Sequence, residues 1–418
     1  MSSINNSQRA NLAPTSPAKR AEPKTSLVTD LGKVIQQNIR DYGMYIALFV
    51  IMAFFTVTTQ GLFISPRNIS NLLNQTGYIA VLAVGMTLVI VIRHIDLSVG
   101  FLSGLIGALA AIALSTWGLS VYIVIPLALA LGILAGCLTA FLVANLGIPA
   151  FVATLGGWLA YRGALLLVLA GTGTIIISDK VFNAIGNDFI PDIPGIGFLP
   201  GVHKLTLILG LVGIILFILG KINDRRQKLA YNFEVLPMNL LILELAFVSV
   251  LLGAITWVLA GYNGLSWTVV IMLIVVGVYH FITTQTVLGR HIFALGGNPE
   301  AAQLSGINIK RLTFIVSGSM GMLAALAGIL FASRLRSATP QAGTLFELDA
   351  IAAAFIGGVS PAGGIGKVMG SLIGALVYMS LTSGMNLMGT DIALQYIVRG
   401  GVLAAAVIFD VTTRRRGI

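Results

Sequence analysis

The chain has 418 residues, of which 57% are hydrophobic and only 10% are charged, and its mean hydropathy is +0.95. Soluble globular proteins carry about 25% charged residues, so this composition excludes a soluble globular fold and indicates an integral membrane protein. The formal net charge of +10 does not indicate nucleic-acid binding, because the basic residues lie in loops and at the chain ends rather than in one patch.

The N-terminal residues 1–42 are polar and rich in Ser, Asn, Ala and Pro. This composition cannot bury enough apolar surface to fold alone, so we predict a disordered cytoplasmic tail. No apolar stretch precedes Met44, and a cleavable signal peptide is therefore not expected.

Twelve hydrophobic segments follow within residues 43–413, the predicted transmembrane domain. Backbone groups in lipid must be hydrogen-bonded within their own segment, and the apolar runs are long and unbroken. We therefore predict an all-α polytopic helix bundle of about 10–12 spans rather than a β-barrel. The segments lie at about 44–64, 71–92, 97–117, 121–144, 149–170, 204–220, 238–260, 266–282, 312–333, 345–360, 367–387 and 391–410. The segment at 345–360 is short and ends in glycine, so we expect a half-helix or a re-entrant piece.

The positions of lysine and arginine orient this bundle. Twelve crossings place both termini on one side, and the basic loops after the sixth and eighth segments share that side with the basic tail at 414–418. The positive-inside rule assigns this side to the cytoplasm. The loop at 171–203, with three aspartates and one lysine, is then predicted to be periplasmic.

Glycine spacing and a weak repeat predict how the helices pack. Three pairs have the GxxxG spacing that lets membrane helices approach closely: Gly100/Gly104, Gly132/Gly136 and Gly370/Gly374. The stretch at 91–112 resembles the stretch at 355–376, since each is a helix, a short loop and a glycine-spaced helix. We therefore expect a parallel internal duplication of the kind found in many transporters.

The polar loop at 283–311 contains a short helical pattern. Asn298 is a suitable N-cap, Pro299 suits the first helical position, and Glu300 complements the positive end of the helix dipole. These residues predict a short amphipathic helix at the cytoplasmic face, ending near Gly306. Such a helix is suited to docking another protein, and the alternative is a structured connector without a partner.

The sequence of this loop, GGNPEAAQLSGI, resembles the cytoplasmic coupling segment of the ribose/xylose-type permease family of bacterial ABC sugar importers. Other motifs match in the family's order from about residue 45: HIDLSVG at 94–100, RSATPQAGTLFELDAIAAAFIGG at 336–358 and GGIGKVMGSLIGAL at 363–376. The similarity is closest to the xylose and multiple-monosaccharide branch, whose members carry a similar insertion at 171–260. The chain departs from the family at Arg93 and His94, where two glycines are common, and at Pro361, where leucine is usual.

The resemblance implies a transport subunit without a cofactor or an ATPase site of its own, acting as one of two permease copies. A cytoplasmic ATPase and a periplasmic sugar-binding protein would be its partners. The residues coupling it to the ATPase would be Asn298, Pro299, Glu300, Ala301, Ala302 and Gly306, with the two alanines allowing close approach. The GGIGKVMG stretch is not a P-loop, because Pro361 and Val368 break the required signature.

Polar residues within the spans are candidates for the translocation path, because ionisable groups in a membrane are costly and usually functional. The set is Asn71, Asn74, Gln75, Asp96, Ser98, Arg162, Glu347, Asp349, Asn386, Gln395 and Arg399. Arg162 and Arg399 would hydrogen-bond sugar hydroxyls or pair with a carboxylate. Asp96 would line the path or cap a helix, and Glu347 and Asp349 would line the outer mouth or complement a helix dipole.

Two other classes of function compete with the importer. A proton-coupled secondary sugar transporter would use Asp96 with His94, or Glu347 with Asp349, as its proton relay. A membrane-embedded enzyme would need a catalytic or metal-binding motif, and none is predicted, because the four histidines lie far apart in the sequence. All three hypotheses place the chain in the cell inner membrane as a multi-pass protein. The sequence does not distinguish a pentose from a hexose as the transported sugar.

Overall fold

A computed structural model describes residues 39–194, 199–233, 235 and 237–415. Most of the predicted tail at 1–42, and the end of the basic tail at 414–418, lie outside these ranges. Within them the chain forms fifteen α-helices and one pair of two-residue strands.

The helices up to the middle of the chain are α1 (Ile39–Thr58), α2 (Pro66–Val91), α3 (Val99–Ser115), α4 (Val121–Ala144), α5 (Ala150–Leu169), α6 (Lys180–Asn187), α7 (Lys204–Ala230) and α8 (Met238–Ala260). Those that follow are α9 (Trp267–Gln285), α10 (Val287–Gly297), α11 (Pro299–Leu304), α12 (Ile309–Leu335), α13 (Phe346–Ile356), α14 (Val368–Leu387) and α15 (Ile392–Arg415). A short 3-10 helix (Leu62–Ile64) precedes α2, and the strands β1 (Ile175–Ile176) and β2 (Ser337–Ala338) pair antiparallel.

Each of the twelve predicted segments coincides with one helix, so the all-α polytopic fold is confirmed. Eight of the described helices are long and apolar enough to cross a membrane, and three shorter apolar helices lie at Gly43–Thr58, Val99–Ser115 and Ile392–Ile408. The predicted short segment is α13, which has only 11 residues. Helix starts follow local chemistry: the Ser120 side chain caps α4 and the Ser266 side chain caps α9, each by accepting a backbone N–H.

The centre of the bundle is built on α2 and α12. Helix α12 packs against α2, α3 and α4, and α2 packs in turn against α9, α13 and α14. A Cβ at Gly132 would collide with the Gly321 carbonyl, and one at Gly136 with the Ser317 carbonyl. The other two predicted pairs are equally close to the backbones of α13 and the segment before it. All three GxxxG pairs therefore lie at close backbone contacts, two of them with another helix and Gly100/Gly104 with the non-helical segment before α13.

Helices α7 and α8 form a hairpin at the edge of the bundle. They pack on each other, and α8 touches the rest of the chain chiefly at α2. Lys221 of α7 pairs with Glu244 of α8 at 2.5 Å, which joins the two helices within the hairpin. Only 6% of the apolar window of each helix is buried, so this hairpin presents a largely apolar surface outward.

The loops gather at two ends of the bundle. At one end, β1 pairs with β2, and the Ser333 hydroxyl accepts the Gly186 amide at 2.7 Å, so that α6 lies against the end of α12. At the other end, the Gly364 amide donates to the Val91 carbonyl at 2.9 Å. The loops that follow α2 and α13 therefore turn at the same end, as the expected parallel orientation of the two similar stretches requires.

Candidate functional site

Helix α13 begins inside the bundle rather than at its surface. From β2 the chain runs without regular helix to Leu345, whose left-handed backbone (φ 65°) starts the helix. On the way, Gly343 lies so close to the Gly100 carbonyl of α3 that a Cβ would not fit. The first turn of α13 then carries two buried carboxylates, Glu347 and Asp349. These two groups anchor what we call the entrance cluster: Trp158, Arg162, Glu347, Asp349, Tyr378 and Arg399.

The Glu347 carboxylate faces α3 and α5. The indole Nε1 of Trp158 donates to its Oε1 at 3.0 Å, while Oε2 has no hydrogen-bond partner among the described residues. The Trp158 ring packs edge-on against Phe101, with 4.9 Å between ring centroids. A buried carboxylate oxygen without a partner is costly, and Oε2 lies against the Gly100 backbone with its bonding capacity unused.

Arg162 lies one turn beyond Trp158 on α5. Its guanidinium donates to the Pro340 carbonyl and lies 4.9 Å from the centroid of the Phe101 ring. Its partners in the described structure are therefore a backbone carbonyl and an aromatic face, and the carboxylate pairing, one of the two roles expected for this residue, is not observed there. The arginine holds the non-helical segment before α13 against α5.

The Asp349 carboxylate faces α14 and α15. Arg399 Nη1 lies 4.0 Å from its Oδ1, and the Tyr378 hydroxyl is within hydrogen-bonding reach. The Arg399 guanidinium also lies 5.9 Å from the centroid of the Tyr378 ring, and its Nε is buried without a partner in the described structure. The expected carboxylate pairing is observed here, and α15 is attached to α13 through it.

The remaining candidates with hydrogen-bond partners make those bonds outside this cluster. Asp96 Oδ1 accepts the amide of Ser98 at 2.9 Å and its hydroxyl at 2.6 Å, bonds that hold the turn before α3 without capping an amide of the helix itself. Asn74 accepts from the Ser266 hydroxyl, and Gln395 donates to Asn386 at 2.9 Å across the turn between α14 and α15. Asn71 is exposed and Gln75 is half-buried on α2.

Sequence reasoning missed the aromatic members of the site. Trp158 and Tyr378 hold the two carboxylates, and Tyr78 stacks on Phe346 at the start of α13, with 5.2 Å between ring centroids. Aromatic residues are common at lipid-facing and interfacial positions, so nothing in the local sequence separates these from the others. These aromatic side chains come close to the carboxylates only when the bundle folds.

The predicted coupling segment is a helix with the expected ends. Asn298 Oδ1 accepts the Ala301 amide at 3.0 Å, Pro299 opens α11, and Gly306 follows with a left-handed backbone (φ 83°). Ala302 is buried, which corrects the expectation that both alanines face a partner. The exposed surface of α11 consists of Glu300, Ala301, Gln303 and Leu304. Helix α10, immediately before it, was not predicted.

Comparison with known proteins gives the family. Residues 68–407 match the family described as branched-chain amino acid transport system / permease component. The chain belongs to this permease family.

Three relatives show how far the similarity extends. The xylose transport system permease protein XylH of Haemophilus influenzae is 40% identical over 385 residues, covering 92% of this chain and 99% of the relative. The corresponding Escherichia coli protein is 38% identical over 379 residues, or 91% and 93% of the two chains. The ribose import permease protein RbsC of E. coli is 35% identical over 367 residues, or 87% and 92%. No solved structure matches the chain.

These findings confirm the resemblance drawn from the motifs. The chain is a transport permease and a multi-pass protein of the cell inner membrane. The comparisons give no support to the proton-coupled alternative, because the family and these relatives are permease components of transport systems.

Proposed function

We propose that this chain is the membrane-spanning subunit of an ATP-driven importer for a monosaccharide, with xylose as the first candidate. The observation that carries this proposal is the 40% identity to a xylose transport system permease over almost the full length of both chains. Ribose is the second candidate, because the identity to the ribose import permease is lower. Two copies of the chain, a cytoplasmic ATPase and a sugar-binding protein complete the assembly.

The entrance cluster is suited to passing a sugar. A sugar is uncharged and rich in hydroxyl groups, so it needs hydrogen-bond donors and acceptors of both kinds, together with aromatic faces for its C–H surfaces. Glu347 Oε2 and Arg399 Nε are buried polar atoms with unused bonding capacity, and Trp158 and Tyr378 lie beside them. We place the translocation path past the start of α13.

The orientation follows from the charges and from the two ends of the bundle. The end that holds α10 and α11 carries Arg290, Lys310 and Arg311, and we assign it to the cytoplasm. The end that holds β1, β2 and α6 then faces the periplasm. Cysteine labelling on a Cys137→Ser background tests this, with position 185 expected to react with an impermeant reagent in intact cells and position 300 expected to be protected.

Helix α11 is the proposed ATPase contact. It is short, capped at both ends and exposed on one side, and its Leu304 side chain is 90% exposed, more than any other large apolar side chain of the described residues. A groove on the ATPase would cover Leu304 and the small Ala301 beside it.

The deciding experiment reconstitutes the chain with its partner ATPase in vesicles and measures labelled xylose. We expect ATP-dependent accumulation that exceeds ribose accumulation, and none with the chain alone. Accumulation by the chain alone, driven by a proton gradient, would instead establish a secondary transporter.

The contact on α11 is tested by Ala301→Trp. Because Ala301 is exposed, the change leaves the bundle intact, and we expect loss of ATPase association and of uptake at normal protein abundance. Ala230→Trp, at the exposed end of α7, is the matched control and should retain both. Normal uptake by the Ala301→Trp variant would show that α11 is a passive connector.

A further inference from the structure

Three segments that are distant in sequence meet at the α11 end of the bundle. Arg93, in the loop after α2, donates from Nε to the Gly296 carbonyl at 2.7 Å and from Nη2 to the Gly297 carbonyl at 2.6 Å. Gly363 and Gly364, in the loop after α13, approach the same two residues so closely that a Cβ on either would press against them or against Arg93. We call these five residues the loop junction.

The backbone of Arg93 adopts a conformation that disfavours an arginine, so the side chain at this position needs an explanation. Helix α2 ends with the His94 amide donating to the Val89 carbonyl and the Arg93 amide to the Ile90 carbonyl, at 3.0 and 2.8 Å. This pattern requires a left-handed residue at position 93, where glycine is favoured, and Arg93 has φ 65°. A glycine would end the helix equally well, because this backbone pattern uses no side chain. The two hydrogen bonds from the guanidinium to carbonyls therefore explain why an arginine occupies the strained position.

The junction connects α11 with the entrance cluster through a series of close contacts. Gly297 immediately precedes Asn298, the cap of α11, and Arg93 lies shortly before the buried Asp96–Ser98 turn that starts α3. The first turn of α3 then carries Gly100, whose carbonyl packs on Gly343 and whose Cα faces Glu347.

From these contacts we infer that Arg93 is a positioning residue that transmits movement of α11 to the start of α13. Its planar guanidinium holds two successive carbonyls, so a displacement of Gly296 and Gly297 is passed to the loop before α3 instead of being absorbed there. This inference rests on the proposed function, because it assigns α11 to an ATPase contact.

The test measures sugar imported per ATP hydrolysed by the full complex in vesicles. Arg93→Gly suits the left-handed backbone, so it should leave thermal stability and ATPase association unchanged while the ratio falls by about fivefold or more, the lower range of a typical coupling between sites. Arg93→Lys can bind only one carbonyl at a time and should give an intermediate ratio.

A matched glycine pair tests the junction without touching the arginine. A Cβ at Gly296 would collide with the Val91 carbonyl, whereas one at Gly297 meets nothing within 4 Å. Gly296→Ala should lower the ratio, and Gly297→Ala should not.

The outcomes separate this inference from the proposed function. A wild-type complex that accumulates neither xylose nor ribose overturns the proposed function, and this inference with it. A transporting wild type together with a wild-type ratio in Arg93→Gly overturns the inference alone. Loss of ATPase association in Arg93→Gly also overturns it, because Arg93 would then only shape the docking site.

Discussion

Helix α2 and helix α7 have almost the same length, 26 and 27 residues, but 94% of the apolar window of α2 is buried and only 6% of that of α7. The buried helix is the less apolar of the two and contains buried Asn74, Thr76 and Thr87. In a membrane the lipid is as apolar as the protein interior, so hydrophobicity does not bring helices together. Close backbone approach and interhelical hydrogen bonds do, and α2 makes such contacts with several helices, whereas α7 packs chiefly on α8.

The largest expected effect comes from adding volume at the centre. Gly321→Val on α12 would force a side chain into the Gly132 backbone, and we expect it to cost more than about 3 kcal/mol and to abolish folded protein. Gly213→Val on α7 meets nothing within 4 Å and should be neutral. Size-exclusion chromatography of the detergent-solubilised variants measures the folded fraction. Equal loss in both variants would mean that the hairpin is packed as tightly as the centre.

A smaller effect is expected at the link between α13 and α15. Arg399→Ala leaves the buried Asp349 without its cation and should lower stability by about 2 kcal/mol, less than for a fully buried pair because the side chains are 4.0 Å apart and Arg399 is 19% exposed. Asp349→Asn in the same chain should restore the thermal midpoint, since the unpaired charge is removed. Failure of the second change to rescue the first would show that Arg399 acts by packing instead.

Next in size is the hydrogen bond that crosses from α5 to α13. Trp158→Phe keeps a ring against Phe101 but removes the indole donor to Glu347 Oε1, so neither carboxylate oxygen has a partner left among the described residues. We expect a loss of about 1–2 kcal/mol, measured as a lower thermal midpoint, together with slower sugar uptake. Trp257→Phe on α8 is the matched control in the hairpin, where an exposed ring should tolerate the change. An unchanged midpoint for Trp158→Phe would show that the Trp158–Glu347 hydrogen bond does not stabilise the fold.

The smallest effect is expected within the hairpin. Lys221→Ala breaks the ion pair with Glu244, but the lysine is 39% exposed, so we expect at most about 1 kcal/mol and no change in uptake. Thermal denaturation and the vesicle assay measure the two quantities. A clear loss of uptake would show that the hairpin takes part in transport and is not a peripheral addition.

Features set by the local sequence pattern could be predicted, whereas features set by the packing of distant segments could not. The twelve segments, the cap at Asn298 and the glycine contacts depend on local pattern, and all are observed. The partners of Arg162 and the burial of Ala302 depend on which neighbours the fold brings near, so the local pattern predicted neither. The site was half predicted: Glu347 and Asp349 were identified as costly charges, whereas Trp158 and Tyr378 are ordinary aromatic residues until α5 and α14 place them beside the carboxylates.

The balance of formal charge in the entrance cluster has an electrical consequence. Two carboxylates, Glu347 and Asp349, are accompanied by two guanidiniums, Arg162 and Arg399, so the formal charges along the proposed path sum to zero. Moving one elementary charge through the membrane potential is worth about 2.3 kcal/mol per 100 mV, whereas an uncharged sugar passing fixed and balanced groups moves none. Uptake by this chain is therefore expected to be insensitive to membrane voltage, and a cell whose potential collapses would still import as long as it holds ATP.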